Sequence, residues 1–133
     1  AGPISQRGFE FSIVSTDDGW LRFKNHAHGM AHSFDFRPDY ADEAKMAATL
    51  GWLTQDPGSP FTNALAVILH DEDGYVALKN DCLRRVTVGG VSEQRITSAD
   101  HLADTLGTVF NLDVPKPGSV WEKIQTVCRD EAA

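Results

Sequence analysis

Three of the histidines, two cysteines and one run of carboxylates hold most of the chemistry this 133-residue chain could perform. His26, His28 and His32 are spaced H-x-H-x3-H. Histidines two apart share a strand face, so His26 and His28 could reach one metal. A zinc site needs at least a third protein ligand, however, and His32 lies beyond a Gly29-Met30 turn. His26 and His28 also share parity with Arg22 and Lys24, so the cluster reads as a polar strand face and no metal ligand is assigned. Cys82 and Cys128 are the only thiols available as nucleophiles. A catalytic thiol needs an electropositive, partly exposed setting and a base within hydrogen-bond reach. Cys128 falls on the apolar stripe of a helix. Cys82 opens a strand beside Arg84 and Arg85, which could depress its pKa, but no histidine is near it in sequence. Both read as packed thiols. Asp71, Glu72 and Asp73 fall in a hairpin turn and read as solvated. No P-loop, GxGxxG or GxSxG is present, and no catalytic residue is assigned.

Phe61 remains. It ends the turn TQDPGSPF and is followed by the apolar run Ala64 to Leu69. Pro60 restricts the backbone before it and cannot donate a ladder hydrogen bond. An aromatic at a loop-to-strand junction ordinarily marks the end of a core. The other reading holds Phe61 at the mouth of a site.

The elements that must position these residues follow from periodicity. Phe9, Phe11 and Ile13 alternate with polar residues, Asp18-Gly19 is a turn signal, and Leu21 and Phe23 alternate again, which predicts a hairpin. His32, Phe34 and Phe36 make a third strand, ended by Pro38. From Ala41 the chain turns helical, with Met46, Leu50 and Leu53 on one face, weakened by Gly51. Ala64 to Leu69 reads as a strand covered on both faces. Asp73-Gly74, Asn80-Asp81 and Gly89-Gly90 then punctuate strands near 75–79, 82–88 and 91–97, an antiparallel meander. Ala99, Leu102, Ala103, Leu106, Val109 and Phe110 carry helical period, with Thr97 or Ser98 as N-cap. A last helix opens with the capping-box pattern Ser119-x-x-Glu122 and carries the stripe Val120, Trp121, Ile124, Val127 and Cys128. The order is three strands, a helix, four strands and two helices. The class is α+β with an antiparallel sheet or partial barrel, a connecting helix and two C-terminal helices.

Composition narrows the function classes. A chain 41% hydrophobic and 23% charged fits one ordinary domain, which at this length can bury roughly two-thirds of its unfolded surface. The net charge is -7 and the largest basic cluster is the pair Arg84-Arg85, which argues against nucleic acid as a partner. The longest apolar run is too short to span a bilayer, and the N-terminus lacks a signal pattern. Two cysteines do not make a disulfide scaffold, so a reducing, cytoplasmic setting is expected. The chain opens at Ala1 with no Met, which points to trimming or to sequence upstream.

The segment LGWLTQDPGSPFTNAL resembles the arylamine N-acetyltransferases: an aromatic pair, a short Ser/Thr segment, a proline, then S-x-F and an apolar strand. YVALKNDCLRRVTVGGVSEQRITSADHLADTLGTVFNLDV is similar to the family's strand, strand, Gly-Gly turn, strand and helix, and the strands at 9–36 resemble its barrel. The resemblance covers roughly residues 9 to 114. It implies a division into barrel strands (1–40), a connecting helix (41–56) and an α/β lid (57–133). It implies acetyl transfer from acetyl-CoA, a co-substrate rather than a covalently bound cofactor, to an arylamine, arylhydrazine or hydroxylamine, as in xenobiotic metabolism. In the family a Cys nucleophile is activated by His and oriented by Asp. That triad and its R-G-G-x-C motif lie upstream of the region matched, and neither Cys82 nor Cys128 falls at the nucleophile's place. The chain is therefore expected to be the C-terminal part of the enzyme, inactive alone, needing its N-terminal catalytic half as partner, and prone to self-association. Phe61 matches the family phenylalanine that lines the acceptor pocket. Cofactor contacts, which in the family fall near Val86-Thr87, stay unassigned. A fragment of an ansamycin-type amide synthase and a stand-alone binding domain are the alternatives.

Overall fold

The computed structural model describes residues 2–131 as two four-stranded antiparallel sheets and their helices, an α+β fold. Strands β1 (Ile4–Gln6), β2 (Phe9–Ser15), β3 (Leu21–Lys24) and β4 (Ser33–Phe36) make the first sheet, in sequence order. A 3-10 turn at Asp17–Gly19 joins β2 to β3. Pairing Ile13 with Phe23 and Phe23 with Phe34 places the aromatic residues of three strands on one face. Their rings stack across the sheet, Phe11 to Phe23 at 5.6 Å and Phe23 to Phe34 at 5.0 Å between centroids. Strand β1 was not expected from the sequence. It has one apolar residue, and its three residues are exposed.

Helix α1 (Glu43–Gln55) follows, capped by the Asp42 carboxylate, which accepts from the Lys45 amide at 3.0 Å. The predicted face is present, but α1 buries no residue: Met46 and Leu50 are exposed. A four-residue helix, α2 (Pro60–Asn63), comes next, and Phe61 lies inside it rather than at a loop-to-strand junction.

The second sheet is β5 (Ala66–His70), β6 (Gly74–Lys79), β7 (Cys82–Thr87) and β8 (Gly90–Arg95), again in sequence order and joined by the expected turns. Asn80 adopts φ 52 in the two-residue β6–β7 loop, a conformation asparagine tolerates. Gly74 is required by packing: a Cβ there would lie 2.0 Å from the Val86 carbonyl oxygen. Helix α3 (Ala99–Phe110) is capped by Ser98, whose hydroxyl accepts from the His101 amide. Helix α4 (Pro117–Glu131) begins at Pro117, which suits the first turn, so Ser119 sits inside the helix rather than at a capping box.

The core lies between one face of the second sheet and the helices. Val76, Leu78, Ile96, Leu102, Leu106, Phe110 and Ile124 are buried together. Val67 of β5 packs on this cluster, yet Ile68 and Leu69 are 45% and 46% exposed. The expectation that this strand is covered on both faces therefore fails. It is an edge strand, and a continuous apolar run cannot reveal how much of it is covered. A smaller cluster of Phe9, Tyr75, Ala77 and Val86 joins the two sheets through the opposite face.

Candidate functional site

That opposite face carries Ile68, His70, Tyr75, Ala77, Lys79, Cys82, Arg84 and Val86, as the pairings of Tyr75 with Val86 and Ala77 with Arg84 require. The segment 25–32 of the first sheet leans over it. Asn25 shapes this segment: its amide side chain donates to the Ala31 carbonyl and its side-chain oxygen accepts from the His26 amide. Gly29 leaves room for this side chain, because a Cβ there would fall 2.2 Å from the Asn25 amide nitrogen and push that amide aside. The Tyr75 hydroxyl donates to the His28 carbonyl and clasps the segment to β6.

Two cavities result. The first, about 490 Å³, is lined by Phe9, Phe11, His26, Met30, Ile68, His70 and Tyr75 among others. The His26 ring lies 4.2 Å from the Phe9 ring and edge-on to Phe11. Its Nδ1 accepts from the His28 amide, which leaves Nε2 to carry the proton of the neutral ring. Burial pushes the His26 pKa below the ordinary imidazole value, and His28 and His70 push it the same way. The second cavity, about 410 Å³, shares Met30 and Tyr75 with the first and is lined by Lys79, Asp81, Cys82, Arg84, Glu93, Arg95 and Cys128.

The sequence-predicted residues separate in the structure. Of the three histidines, His26 lines the first cavity and His28 supplies only backbone groups, while His32 is exposed. Among the described residues, no group of three or more His, Cys, Asp or Glu could hold a metal ion. Cys82 and Cys128 line one cavity, in which no histidine takes part. Asp71 is not simply solvated. Its carboxylate accepts from the Asp73 and Gly74 amides at 3.0 Å and pairs with Arg85, and that hydrogen bond with Arg85 is the main reason its pKa lies below the usual carboxylate range. Arg85 therefore serves the turn, on the sheet face opposite to Cys82.

Phe61 is 73% exposed, so the reading of it as the end of a core is overturned. The cause is Ser59, which sequence reasoning passed over. Ser59 is fully buried; its hydroxyl donates to the Leu53 carbonyl at 2.7 Å and accepts from the Phe61 amide at 3.2 Å. Thr62 bonds the carbonyls of Asp56 and Ser59, and Asn63 bonds that of Ser59. Past Asn63, the buried Asn80 takes the Leu65 amide on its side chain and gives its own amide to the Leu65 carbonyl. Phe61 is thus displayed on a rigid turn tied at both ends. The Ser-Pro pair, N-cap and first helical residue, was the available signal. Phe61 lines neither of the two cavities above.

The N-acetyltransferase family model matches residues 2–118. Among solved structures, the arylamine N-acetyltransferase of Mycobacterium marinum in complex with CoA superposes with TM-score 0.81 at 16% identity, over 96% of this chain and 48% of its own. An arylamine N-acetyltransferase from Mycobacterium smegmatis gives 0.77 at 19%, over 93% and 46%. That of Salmonella typhimurium gives 0.71 at 17%, over 94% and 47%. At these identities the likeness is one of fold. No curated protein sequence matches the chain. The chain spans about half the length of the solved structures it resembles.

Proposed function

The chain belongs to the arylamine N-acetyltransferase family, and from that premise we propose that it forms the pocket-wall and lid half of an enzyme that moves an acetyl group from acetyl-CoA to the nitrogen of an arylamine, arylhydrazine or hydroxylamine. Residues 1–40 act as barrel strands, 41–56 as the connecting helix and 57–133 as the lid. The nucleophilic cysteine, with its activating histidine and orienting aspartate, comes from polypeptide outside these 133 residues. The thiolate attacks the thioester carbonyl and expels CoA, whose sulfur takes the imidazolium proton; the amine nitrogen then attacks the acetyl-enzyme carbonyl, loses its proton to the histidine and expels the cysteine thiolate. Supporting this division, the cavity that Cys82 and Cys128 line has no histidine in its wall to serve as a base.

The observation that carries the reading is Phe61, 73% exposed on a turn whose cap, Ser59, is fully buried. An apolar side chain held outward so firmly is placed to contact something, and an aromatic acceptor is a fitting occupant. Among the described residues no helix is long and apolar enough to cross a membrane, which is compatible with the cytoplasmic setting proposed.

The test is an acetyl-transfer assay that follows CoA thiol release with an arylamine acceptor. The chain alone is expected to give no turnover, and addition of the catalytic half in trans to restore it. Turnover by the chain alone, lost when Cys82 is replaced by Ser, would place the nucleophile here and overturn the division.

A further inference from the structure

Phe61 is held outward by its turn, and the turn in its own right needs an anchor. Residues 42–63 are tied chiefly to one another. The Ser59 hydroxyl bonds the Leu53 carbonyl, the Thr62 hydroxyl bonds the Asp56 carbonyl, and the Asp42 carboxylate takes the Lys45 amide. Neither α1 nor α2 buries a residue. Behind the turn lies a cavity of about 450 Å³, between residues 62–65 and Val120, Ile124 and Val127 of α4. Packing against α4 therefore leaves this stretch room to move.

Among the described residues, the stretch 42–65 makes only two hydrogen bonds to the rest of the molecule, and both go to Asn80. The Asn80 amide donates to the Leu65 carbonyl at 2.9 Å, and the Asn80 side-chain oxygen accepts from the Leu65 amide at 3.1 Å. Ala66 pairs with Lys79, so Leu65 and Asn80 stand opposite one another one step beyond the β5–β6 ladder. A hydrogen-bonded antiparallel pair exchanges both bonds through its backbones. Here the chain already turns away at Asn80, with φ 52, and a side-chain oxygen takes the place of the strand carbonyl. Glycine is the default residue for a left-handed turn position. An asparagine only 4% exposed there is explained by a use for its side chain. The body end of the link is firm. The carbonyl of the adjoining Asp81 accepts from the Ile96 amide at 2.8 Å, and its carboxylate pairs with Arg95 at 2.5 Å.

We propose that Asn80 is a positioning residue for Phe61: its side chain carries the β5–β6 ladder past its end to Leu65, and so sets the angle at which α1 and α2 present the Phe61 ring to the acceptor. Between Phe61 and Leu65 run the rest of α2 and the bonds of Thr62 and Asn63 to the Ser59 carbonyl, so movement at Leu65 is passed to the ring rather than absorbed. The link stands on its own geometry. Its effect on acceptor use rests on the reading of Phe61 as a pocket wall.

Three variants test it. Asn80→Gly keeps the left-handed turn and removes the acceptor, whereas Asn80→Asp keeps both. Asn111→Gly, the same exchange at the left-handed cap of α3, is the control. Amide exchange of the 133-residue chain, followed by NMR, is expected to quicken about tenfold at Leu65 in Asn80→Gly, the worth of one hydrogen bond. The β6–β7 ladder is expected to stay protected, and Leu65 to stay protected in Asn80→Asp and Asn111→Gly. In the enzyme assembled with its catalytic half, ping-pong kinetics reads the two half-reactions apart. Asn80→Gly is expected to lower kcat/KM for the arylamine several-fold and to leave that for acetyl-CoA unchanged. In a Phe61→Ala background the same change is expected to cost nothing further, because it acts through that ring. Unchanged Leu65 exchange in Asn80→Gly overturns the link and the proposal with it. A freed Leu65 amide with unchanged arylamine kcat/KM, where Phe61→Ala lowers it, overturns the positioning role while the pocket-wall reading survives. Losses that add in the double variant overturn the positioning role in the same way. Full arylamine kcat/KM in Phe61→Ala overturns the pocket-wall reading and the positioning role together, and leaves the Asn80 link as a structural tie.

Discussion

Ser59 and Phe61, two residues apart, have opposite roles in one turn. The first is buried to hold it, and the second is held out by it. Their substitutions should therefore separate stability from activity. Ser59→Ala removes a cap and strands the Leu53 carbonyl, and a loss of about 1–2 kcal/mol is expected in a urea titration. Phe61→Ala is expected to shift stability by less than about 0.5 kcal/mol, as exposed positions do, and to lower kcat/KM for arylamines in the assembled enzyme. A large drop in Tm with unchanged kcat/KM would return Phe61 to a packing role. His26 sets a pH dependence. Its folded pKa lies below the ordinary value of about 6.5, so between the two values the unfolded chain binds more protons. Stability from this residue is thus full above pH ~6.5, falls as pH drops through that value, and levels off below the folded pKa. Thermal melts from pH 8 to 5 should show this fall, reduced in His26→Gln.

At the scale of elements, legibility tracked how much local chemistry each one needs. The hairpins of the second sheet and helix α3 were readable because turn residues, a serine cap and a sustained 3.6-residue period all point the same way. Leu102 and Leu106, on the α3 stripe, are 0% and 1% exposed, so Leu106→Ala should cost about 2–5 kcal/mol by denaturant melt. Strand β1 was not legible, since Ile4–Gln6 exists only through its pairing with Phe9, Glu10 and Phe11. Helix α2 is shorter than two turns and carries no period, which is why Phe61 read as a loop-to-strand junction. Helix α1 showed its stripe in sequence, but a stripe says that a face is apolar and not what covers it. The paired cavities were the least legible feature, because they depend on Tyr75 reaching the loop at His28, a contact between residues 47 positions apart.

At the scale of the whole molecule, apolar surface is left uncovered on several elements: Met46, Leu50 and Trp52 on α1, Phe61 on α2, Phe34 on β4 and Ile68 on β5. Strands β4 and β5 are also sheet edges, which can pair with another chain. The isolated chain is expected to self-associate as its concentration rises, seen as an increasing weight-average sedimentation coefficient, and the catalytic half is expected to suppress this. A constant monomer would show that these faces are tolerated in water. The strand order has a further consequence, in time rather than in space. Every strand pairs with its neighbour in sequence, so neither sheet waits for a distant segment to close its ladder. Yet among the described residues Phe9 is the one buried position of the first sheet, and its partners Tyr75, Ala77 and Val86 lie far downstream in the second. During synthesis the first sheet's residues emerge well before the surface they pack on. Pulse-labelled amide exchange during refolding should accordingly find β6, β7 and α3 protected first, with β2 and β3 gaining protection only after them.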